Sequence, residues 1–245
     1  MTYMLDAPAQ TQLGLIVLST DETLELEARQ LLAGRELQLF HSRIFSANAV
    51  TQGSLRDMEK RLSETAALLP EGVKVIGYGC TSASVMIGSD GVERQVHAGK
   101  PDVAVTNPMR AVTAALEHLG ARRIAMLTPY TKTVADPMRA HLSEQDIEIV
   151  RSFDFGEEDD RRVARISEAS TREAVQKLVA DGGVDAVFAS CTNLRTFGVI
   201  DAIEAETGLP MLSSNQALLW HMLQLAGQDA SNWGPGRLFG NTIHV

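Results

Sequence analysis

Apolar and polar positions alternate along the chain in a pattern that predicts a parallel β-sheet flanked by helices. Short runs of β-branched and apolar residues recur between longer segments with the period of amphipathic helices. The predicted strands are 13–18, 37–44, 73–78, 103–105, 123–127, 148–153, 186–189 and 211–212. The predicted helices are 22–33, 54–69, 109–119, 134–143, 161–180, 197–206 and 216–225. This order is typical of doubly wound α/β proteins.

The same succession of elements occurs twice. Residues 73–83 (VKVIGYGCTSA) correspond to residues 184–194 (VDAVFASCTNL), and a later segment that begins a helix at Asn107 corresponds to one that begins at Asn215. The repeat predicts two pseudo-symmetric lobes that face each other across a cleft. The predicted N-terminal lobe is 13–120 and the C-terminal lobe is 121–227, and we allow for the last helix, 216–227, to pack on the first lobe.

Composition narrows the class of protein. The 245 residues carry a formal charge of -9, and no segment clusters Lys and Arg with aromatic residues, so nucleic acid is not an expected partner. No apolar run approaches the roughly 20 residues that cross a bilayer, and residues 1–12 lack the pattern of a signal peptide. We therefore expect a cytoplasmic protein without membrane contact, in which Cys80 and Cys191 are reduced thiols.

These two cysteines are the strongest candidates for chemistry. Each follows a predicted strand, and ligands of open parallel sheets bind beyond the carboxyl ends of the strands. A helix N-terminus stabilises a thiolate through its backbone N–H groups, which predicts a lowered pKa for both thiols. A lone buried cysteine is more often a small apolar residue. Two matched thiols on opposite sides of one carbon favour catalysis, because a proton could leave one face and return to the other.

Hydroxyl and amide side chains follow both cysteines. Thr81 and Ser82 come after the first cysteine, and Thr192 and Asn193 come after the second. Together with neighbouring N–H groups, they could hold a substrate carboxylate without lysine or arginine. Helix capping is the alternative role, and the two roles are compatible.

One further residue follows the first strand of each half. Asp21 would either cap the helix that begins at Glu22 or lie in the cleft, where its carboxylate would attract an ammonium group and repel a second carboxylate. Tyr130 could donate a hydrogen bond to an enolate oxygen that forms in the transition state.

Metal ions and nucleotide cofactors are not expected. The glycines on either side of Tyr78 lack the third glycine of a dinucleotide-binding loop. The acidic run 157–160 is predicted to be a solvated loop without a chemical role. The histidines, which show no metal-ligand spacing, are His41, His97, His118, His141, His221 and His244.

The segments GCTSAS around Cys80 and SCTNLRT around Cys191, on a duplicated α/β scaffold, resemble the aspartate/glutamate racemase superfamily. The opening LGLIVLSTDETLELE is most similar to the branch that contains maleate cis-trans isomerases, arylmalonate decarboxylases and, as the closest likeness, the ectoine-utilisation protein. The resemblance implies two flavodoxin-like lobes, each a four-stranded parallel sheet flanked by helices, with the active site between them and the two cysteines as the catalytic pair. The other implied site residues are Thr81, Ser82, Thr192 and Asn193 at a substrate carboxylate and Tyr130 at an oxyanion.

Departures from this branch shape the functional prediction. Decarboxylases keep only the second cysteine, so Cys80 argues against decarboxylation, and maleate isomerases typically carry asparagine where Asp21 stands. We expect a cofactor-independent racemase that acts through both thiols on a small carboxylate. The expected substrate is an amino acid or an intermediate of ectoine degradation. The family resemblance also implies a homodimer. One alternative is a maleate-type cis-trans isomerase in which either cysteine adds to a double bond. Another is a two-lobed small-molecule binding protein without turnover.

Overall fold

Two parallel β-sheets form the centre of the molecule. A computed structural model describes residues 3–5 and 11–240, so His244 lies outside the described residues. Each sheet has four strands, in the orders β2-β1-β3-β4 and β6-β5-β7-β8, and every pairing within the sheets is parallel. The strands are β1 Gln12–Leu18, β2 Gln38–Ile44, β3 Val75–Gly79, β4 Ala104–Thr106, β5 Arg123–Tyr130, β6 Glu148–Glu157, β7 Ala186–Ala189 and β8 Met211–Ser213. The predicted α/β fold is confirmed.

Helices flank both sheets and connect their strands. The inner strands β3, β5 and β7 are buried almost throughout because helices cover both faces, which is why they read as continuous apolar runs. A short 3-10 helix, Arg237–Phe239, follows the last α-helix. The α-helices are α1 Leu24–Leu32, α2 Gln52–Asp57, α3 Glu59–Ala67, α4 Thr81–Ile87, α5 Ser89–Gly99, α6 Pro108–His118, α7 Lys132–Ser143, α8 Asp160–Val163, α9 Glu168–Val179, α10 Ile200–Thr207 and α11 Ser214–Leu225.

Strand register relates the two halves residue by residue. Gly77 of β3 pairs with Thr106 of β4, and Phe188 of β7 pairs with Leu212 of β8. Gly77 and Phe188 each lie three residues before the cysteine of their half. The two cysteines therefore occupy equivalent positions, at the carboxyl ends of equivalent strands.

The two asparagines matched in the repeat are not equivalent. Asn107 caps α6 by accepting the N–H groups of the first turn, whereas α11 is capped by Ser213 and contains Asn215 in its first turn. The prediction that an asparagine begins both helices is therefore wrong. The side chain of Asn215 serves instead as a donor between elements, as described below.

Helices α4 and α5 were not predicted. They occupy residues 81–99, a segment rich in Ser and Gly, which have low intrinsic helix propensity. Packing against α2, α3 and α7 stabilises them and outweighs propensity. Two predicted helices are also interrupted: 54–69 is divided at Met58, and 161–180 is divided by an irregular turn before Ser167, which caps α9.

The last long helix packs on elements of the first half. Helix α11 contacts α6 and β3, and a side chain at Gly77 would require the sulfur of Met222 to shift. The division of the chain at residue 120 stays a prediction. No described helix has the length and apolar character needed to span a bilayer.

Candidate active site

Cys80 directly follows strand β3 and caps α4. Its carbonyl accepts the N–H of Ser84 at 3.1 Å, and its sulfur accepts the N–H of Ala83 at 3.4 Å. The hydroxyl of Ser82 lies 3.7 Å from the same sulfur. Only 3% of Cys80 is exposed. The first turn of α4 therefore fixes the direction of a buried thiol.

Cys191 occupies the equivalent position in the second half, but no helix follows it directly. Strand β7 ends at Ala189, and α10 begins only at Ile200. The sulfur of Cys191 accepts the N–H of Asn193 at 3.2 Å and shares a hydrogen bond of 3.0 Å with the hydroxyl of Tyr130. The prediction that a helix N-terminus activates this thiol is wrong, and a tyrosine is its polar partner.

Burial controls the ionisation of both thiols. It raises the pKa of Cys80 to about 12 and the pKa of Cys191 well above its ordinary value, and the carboxyls of Asp160 and Asp21 raise both pKa values further. The N–H groups at the sulfurs lower the pKa by less. The predicted lowering of the two pKa values is therefore wrong, and reaction of either sulfur as a thiolate needs a proton acceptor or a nearby cation.

Asp160 is a site residue that the sequence did not reveal. It is 2% exposed, and its Oδ2 accepts the hydroxyl of Thr20 at 2.6 Å, while its Oδ1 accepts the hydroxyl of Tyr130 at 3.3 Å. The segment 157–160 lies against a loop of the first half, because Asp159 and Ala49 form an antiparallel β-bridge. The prediction that this acidic run is solvated is therefore wrong for Asp160, and the absence of a chemical role stays a prediction.

Asp21 caps a helix and also approaches the site. Its Oδ1 accepts the N–H groups of Thr23 and Leu24, each at 2.8 Å, whereas its Oδ2 is buried and accepts no hydrogen bond. Burial raises the pKa of Asp21 to about 7, against the opposing effect of those N–H groups, and the charge of Asp160 raises it further. Two interacting buried carboxyls thus lie within electrostatic range of both sulfurs.

The hydroxyls expected at a substrate carboxylate differ in their surroundings. Thr81 donates to the hydroxyl of Ser214 at 2.8 Å, and Thr192 donates a long hydrogen bond of 3.4 Å to the carbonyl of Gly79. Ser82 lines the cavity beside the first thiol. Their contacts with a substrate stay a prediction, and Ser82 is the best placed of the three.

The side chain of Asn193 joins the two halves of the protein. Its Oδ1 accepts the N–H of Glu22 at 2.8 Å, and its Nδ2 donates to the carbonyls of Thr20 at 3.3 Å and Asp160 at 2.8 Å. These bonds occupy the oxygen and both N–H groups of the amide. A substrate contact by this side chain stays a prediction and would require one of the three bonds to break.

Glu27 is a second buried carboxyl residue that the sequence did not reveal. It lies on α1, yet it accepts the N–H groups of Thr196 at 2.8 Å and Phe197 at 3.0 Å, in the loop that follows the second cysteine. Asn215 donates to Glu27 at 2.7 Å and to the carbonyl of Thr192 at 2.7 Å. Burial raises the pKa of Glu27 to about 7. This carboxyl therefore fixes the loop that carries the second thiol.

A narrow cavity of about 10 Å³, close to the space that one water molecule occupies, lies beside Cys80 and is lined from both halves of the chain. No lysine, arginine or histidine is among its lining residues in the described part of the protein. Within residues 3–5 and 11–240, no group of three or more potential ligands from His, Cys, Asp and Glu is arranged to hold a metal ion. The polar lining residues are Thr20, Ser46, Ser54, Cys80, Ser82, Tyr130 and Asp160.

Comparison with known proteins places this chain in a family. The profile of the arylmalonate decarboxylase family matches residues 13–239, nearly the whole chain. The chain belongs to the arylmalonate decarboxylase family. Within that family, it is 28% identical to the maleate isomerase of Nocardia farcinica over 242 residues, which cover 93% of this chain and 94% of that protein. It is 32% identical to the arylmalonate decarboxylase of Bordetella bronchiseptica over 136 residues, covering 55% of this chain and 57% of that protein.

Solved structures of the family share the whole fold. A cysteine-to-serine variant of the Nocardia farcinica maleate cis-trans isomerase, which holds a covalently bound succinylcysteine intermediate, superposes with a TM-score of 0.82 at 26% identity. The match covers 94% of this chain and 98% of that one. The resemblance to the maleate isomerase and arylmalonate decarboxylase branch is thereby confirmed. The special closeness to the ectoine-utilisation protein stays a prediction.

Proposed function

We propose that this chain is a cofactor-independent cis-trans isomerase of a small α,β-unsaturated carboxylate, acting by covalent addition of a cysteine. The observation that carries the proposal is the pair of buried thiols at equivalent strand ends. The succinylcysteine held by a relative supports it, because a succinyl adduct is the product expected when a thiol adds to a butenedioate double bond. Addition converts that double bond into a single bond, which rotates freely before the thiol is expelled.

Cys80 is the better candidate for the nucleophile. Its sulfur lies at the wall of the cavity, whereas Cys191 is not among the lining residues. The thiol of Cys80 would transfer its proton to Asp160, which lines the same cavity, and the resulting thiolate would bond to the carbon β to the substrate carboxylate. Because a thiolate is a strong nucleophile towards such a carbon, this step needs no cofactor.

Cys191 and Tyr130 are suited to move the second proton. As the carbon–sulfur bond forms, the α carbon would take a proton from the thiol of Cys191, giving a saturated adduct. After rotation, the thiolate of Cys191 would remove that proton, and the electron pair of the breaking carbon–sulfur bond would return to Cys80. The Tyr130 hydroxyl, 3.0 Å from the Cys191 sulfur, would stabilise the transient thiolate.

Racemisation uses the same two thiols in a different way. A racemase would exchange the α proton of a saturated acid, whereas the isomerase converts a cis into a trans double bond. The maleate isomerases among the relatives favour the isomerase over the racemase that we expected first. In deuterium oxide, incorporation of label at the α carbon of a saturated amino acid would support racemisation.

The test combines kinetics with trapping of the adduct. Proton NMR should show conversion of maleate or another small cis-2-alkenoate into the trans acid by the wild-type protein. The Cys80→Ser variant should lose about 10³-fold or more in rate. The Cys191→Ser variant should be slowed and should accumulate an adduct on Cys80 that mass spectrometry detects. Full activity of Cys80→Ser, with Ser231→Ala as a control at an exposed loop, would contradict the proposal.

A further inference from the structure

We propose that the substrate of this site carries a cationic ammonium group beside Asp21 and Asp160, in place of the second carboxylate of a dicarboxylic acid. This inference rests on the proposed function, since it assigns the charge of the substrate at the same thiols. Both carboxyls are 2% exposed, so the charge of each depends on proton uptake or on a bound cation rather than on hydration by bulk water. Asp160 lines the cavity beside Cys80 and its charge acts on Asp21, so a substrate cation bound beside Asp160 would change the charge balance of both carboxyls.

Asp160 is linked directly to the catalytic groups. Its Oδ1 accepts the hydroxyl of Tyr130 at 3.3 Å, and that hydroxyl contacts the sulfur of Cys191 at 3.0 Å. Asp160 also lines the cavity that contains Cys80. A charge placed next to this carboxyl therefore acts on both thiols.

Asp21 leaves one oxygen for a ligand. Its Oδ1 is used by two N–H groups of α1, but its buried Oδ2 accepts no hydrogen bond. The hydroxyl of Thr192, which makes a long hydrogen bond of 3.4 Å to the carbonyl of Gly79, is also close enough to Asp21 to lower the pKa of this carboxyl as an uncharged donor. A buried acceptor without a partner is costly in a folded protein, and an ammonium donor would satisfy it.

Protein side chains do not supply the missing positive charge. The side-chain donors to Asp160 are the hydroxyls of Thr20 and Tyr130 and the amide of Asn193, all of them uncharged, and the cavity lining contains no basic residue. The basic group closest to Asp21 in the hydrogen-bond network is Arg43. It donates to the backbone carbonyls of Leu18 and Asp21, and its salt bridge is with Glu25.

The charges decide between two classes of substrate. A dicarboxylate would bring a second negative charge to two buried carboxyls whose pKa values burial already raises, so it would bind only when protons are taken up. An amino acid with one carboxylate and one ammonium group would neutralise the same carboxyls. Its cation would also favour the thiolate form of both cysteines, which burial otherwise disfavours.

Binding of saturated analogues tests the charge preference without catalysis. Isothermal titration calorimetry should show that wild-type protein binds 4-aminobutanoate about tenfold or more tightly than succinate. The Asp21→Asn and Asp160→Asn variants, which keep the size of each side chain, should each lose this preference. The exposed carboxyl of Asp57 provides the matched control, and Asp57→Asn should retain the preference. Equal or tighter binding of succinate by the wild-type protein would overturn the inference.

Catalysis by the same protein separates this inference from the proposed function. Proton NMR should show that cis-4-aminobut-2-enoate is isomerised with a kcat/KM about tenfold or more above that of maleate. Faster turnover of maleate would overturn the charge assignment while supporting the isomerase. Retained preference for 4-aminobutanoate, without isomerisation of either cis acid, would support the charge assignment and overturn the isomerase.

Discussion

Replacement of Asp21 by asparagine is expected to weaken the pH dependence of folding stability. Asparagine keeps the side-chain oxygen that accepts the N–H groups of Thr23 and Leu24 at 2.8 Å, so the cap of α1 is preserved. It removes the ionisable carboxyl whose second oxygen is buried without a hydrogen bond. The change therefore isolates the cost of ionising this one group.

The magnitude follows from the raised pKa. Burial shifts the pKa of Asp21 from 3.8 to about 7, so the folded protein holds a proton that the unfolded chain has released. The stabilisation is greatest in acid and is lost as the pH rises to about 7. From pH 5 to 7, Asp21 alone removes about 2 kcal/mol from the free energy of unfolding, and about 3 kcal/mol by pH 8.

Urea denaturation at pH 5 and pH 8 measures this effect. The difference in the free energy of unfolding between the two pH values should be smaller by about 3 kcal/mol in Asp21→Asn than in the wild type. Asp57→Asn removes one exposed carboxyl and should leave that difference unchanged. The same pH dependence in Asp21→Asn and the wild type would refute the assigned burial and pKa of Asp21.

Three further substitutions test other contacts. Tyr130→Phe removes the hydroxyl that is hydrogen-bonded to the thiol of Cys191. It should lower kcat by about 10²-fold without changing the thermal midpoint of unfolding. An unchanged kcat would exclude a catalytic role for Tyr130. Glu27→Ala removes the acceptor of three N–H donors, on Thr196, Phe197 and Asn215, and should lower the free energy of unfolding in urea by about 3 kcal/mol. A change near zero would show that other contacts fix the loop that follows Cys191. Gly77→Ala adds a methyl group that displaces the Met222 side chain and should cost about 2 kcal/mol, whereas Gly53→Ala, whose methyl would make only an ordinary contact with Thr51, should cost much less.

Hydrophobic patterning predicted the sheets better than the helices. Inner strands such as β3 and β7 are short apolar runs buried on both faces, so their positions follow from local sequence alone. Helices α4 and α5 could not be predicted in this way, because Gly88 and Gly91 weaken local helix propensity and the stabilising contacts come from α2, α3 and α7. Elements whose stability depends on distant partners are those that the pattern missed.

The sequence predicted only those parts of the candidate site that the internal repeat indicates. The equivalence of the cysteines followed from two similar segments, and their equivalent strand positions agree with it. Asp160 lies in an acidic run that is typical of a solvated surface, and Glu27 lies on an ordinary amphipathic helix. Each becomes buried through contacts with the opposite half of the chain, more than a hundred residues away in sequence. A single sequence carries no local signal of such contacts.

The repeat supplies two thiols, but the differences between its halves give them unequal roles. The sulfur of Cys80 is held by the first turn of a helix and lines the cavity. The sulfur of Cys191 is held by an irregular loop and bonds a tyrosine that also contacts Asp160. One thiol thus lines the cavity, and the other is hydrogen-bonded to a tyrosine that also contacts a buried carboxyl. An addition that needs one nucleophile and one proton donor fits this asymmetry better than a racemisation, in which two equivalent bases act on opposite faces of one carbon.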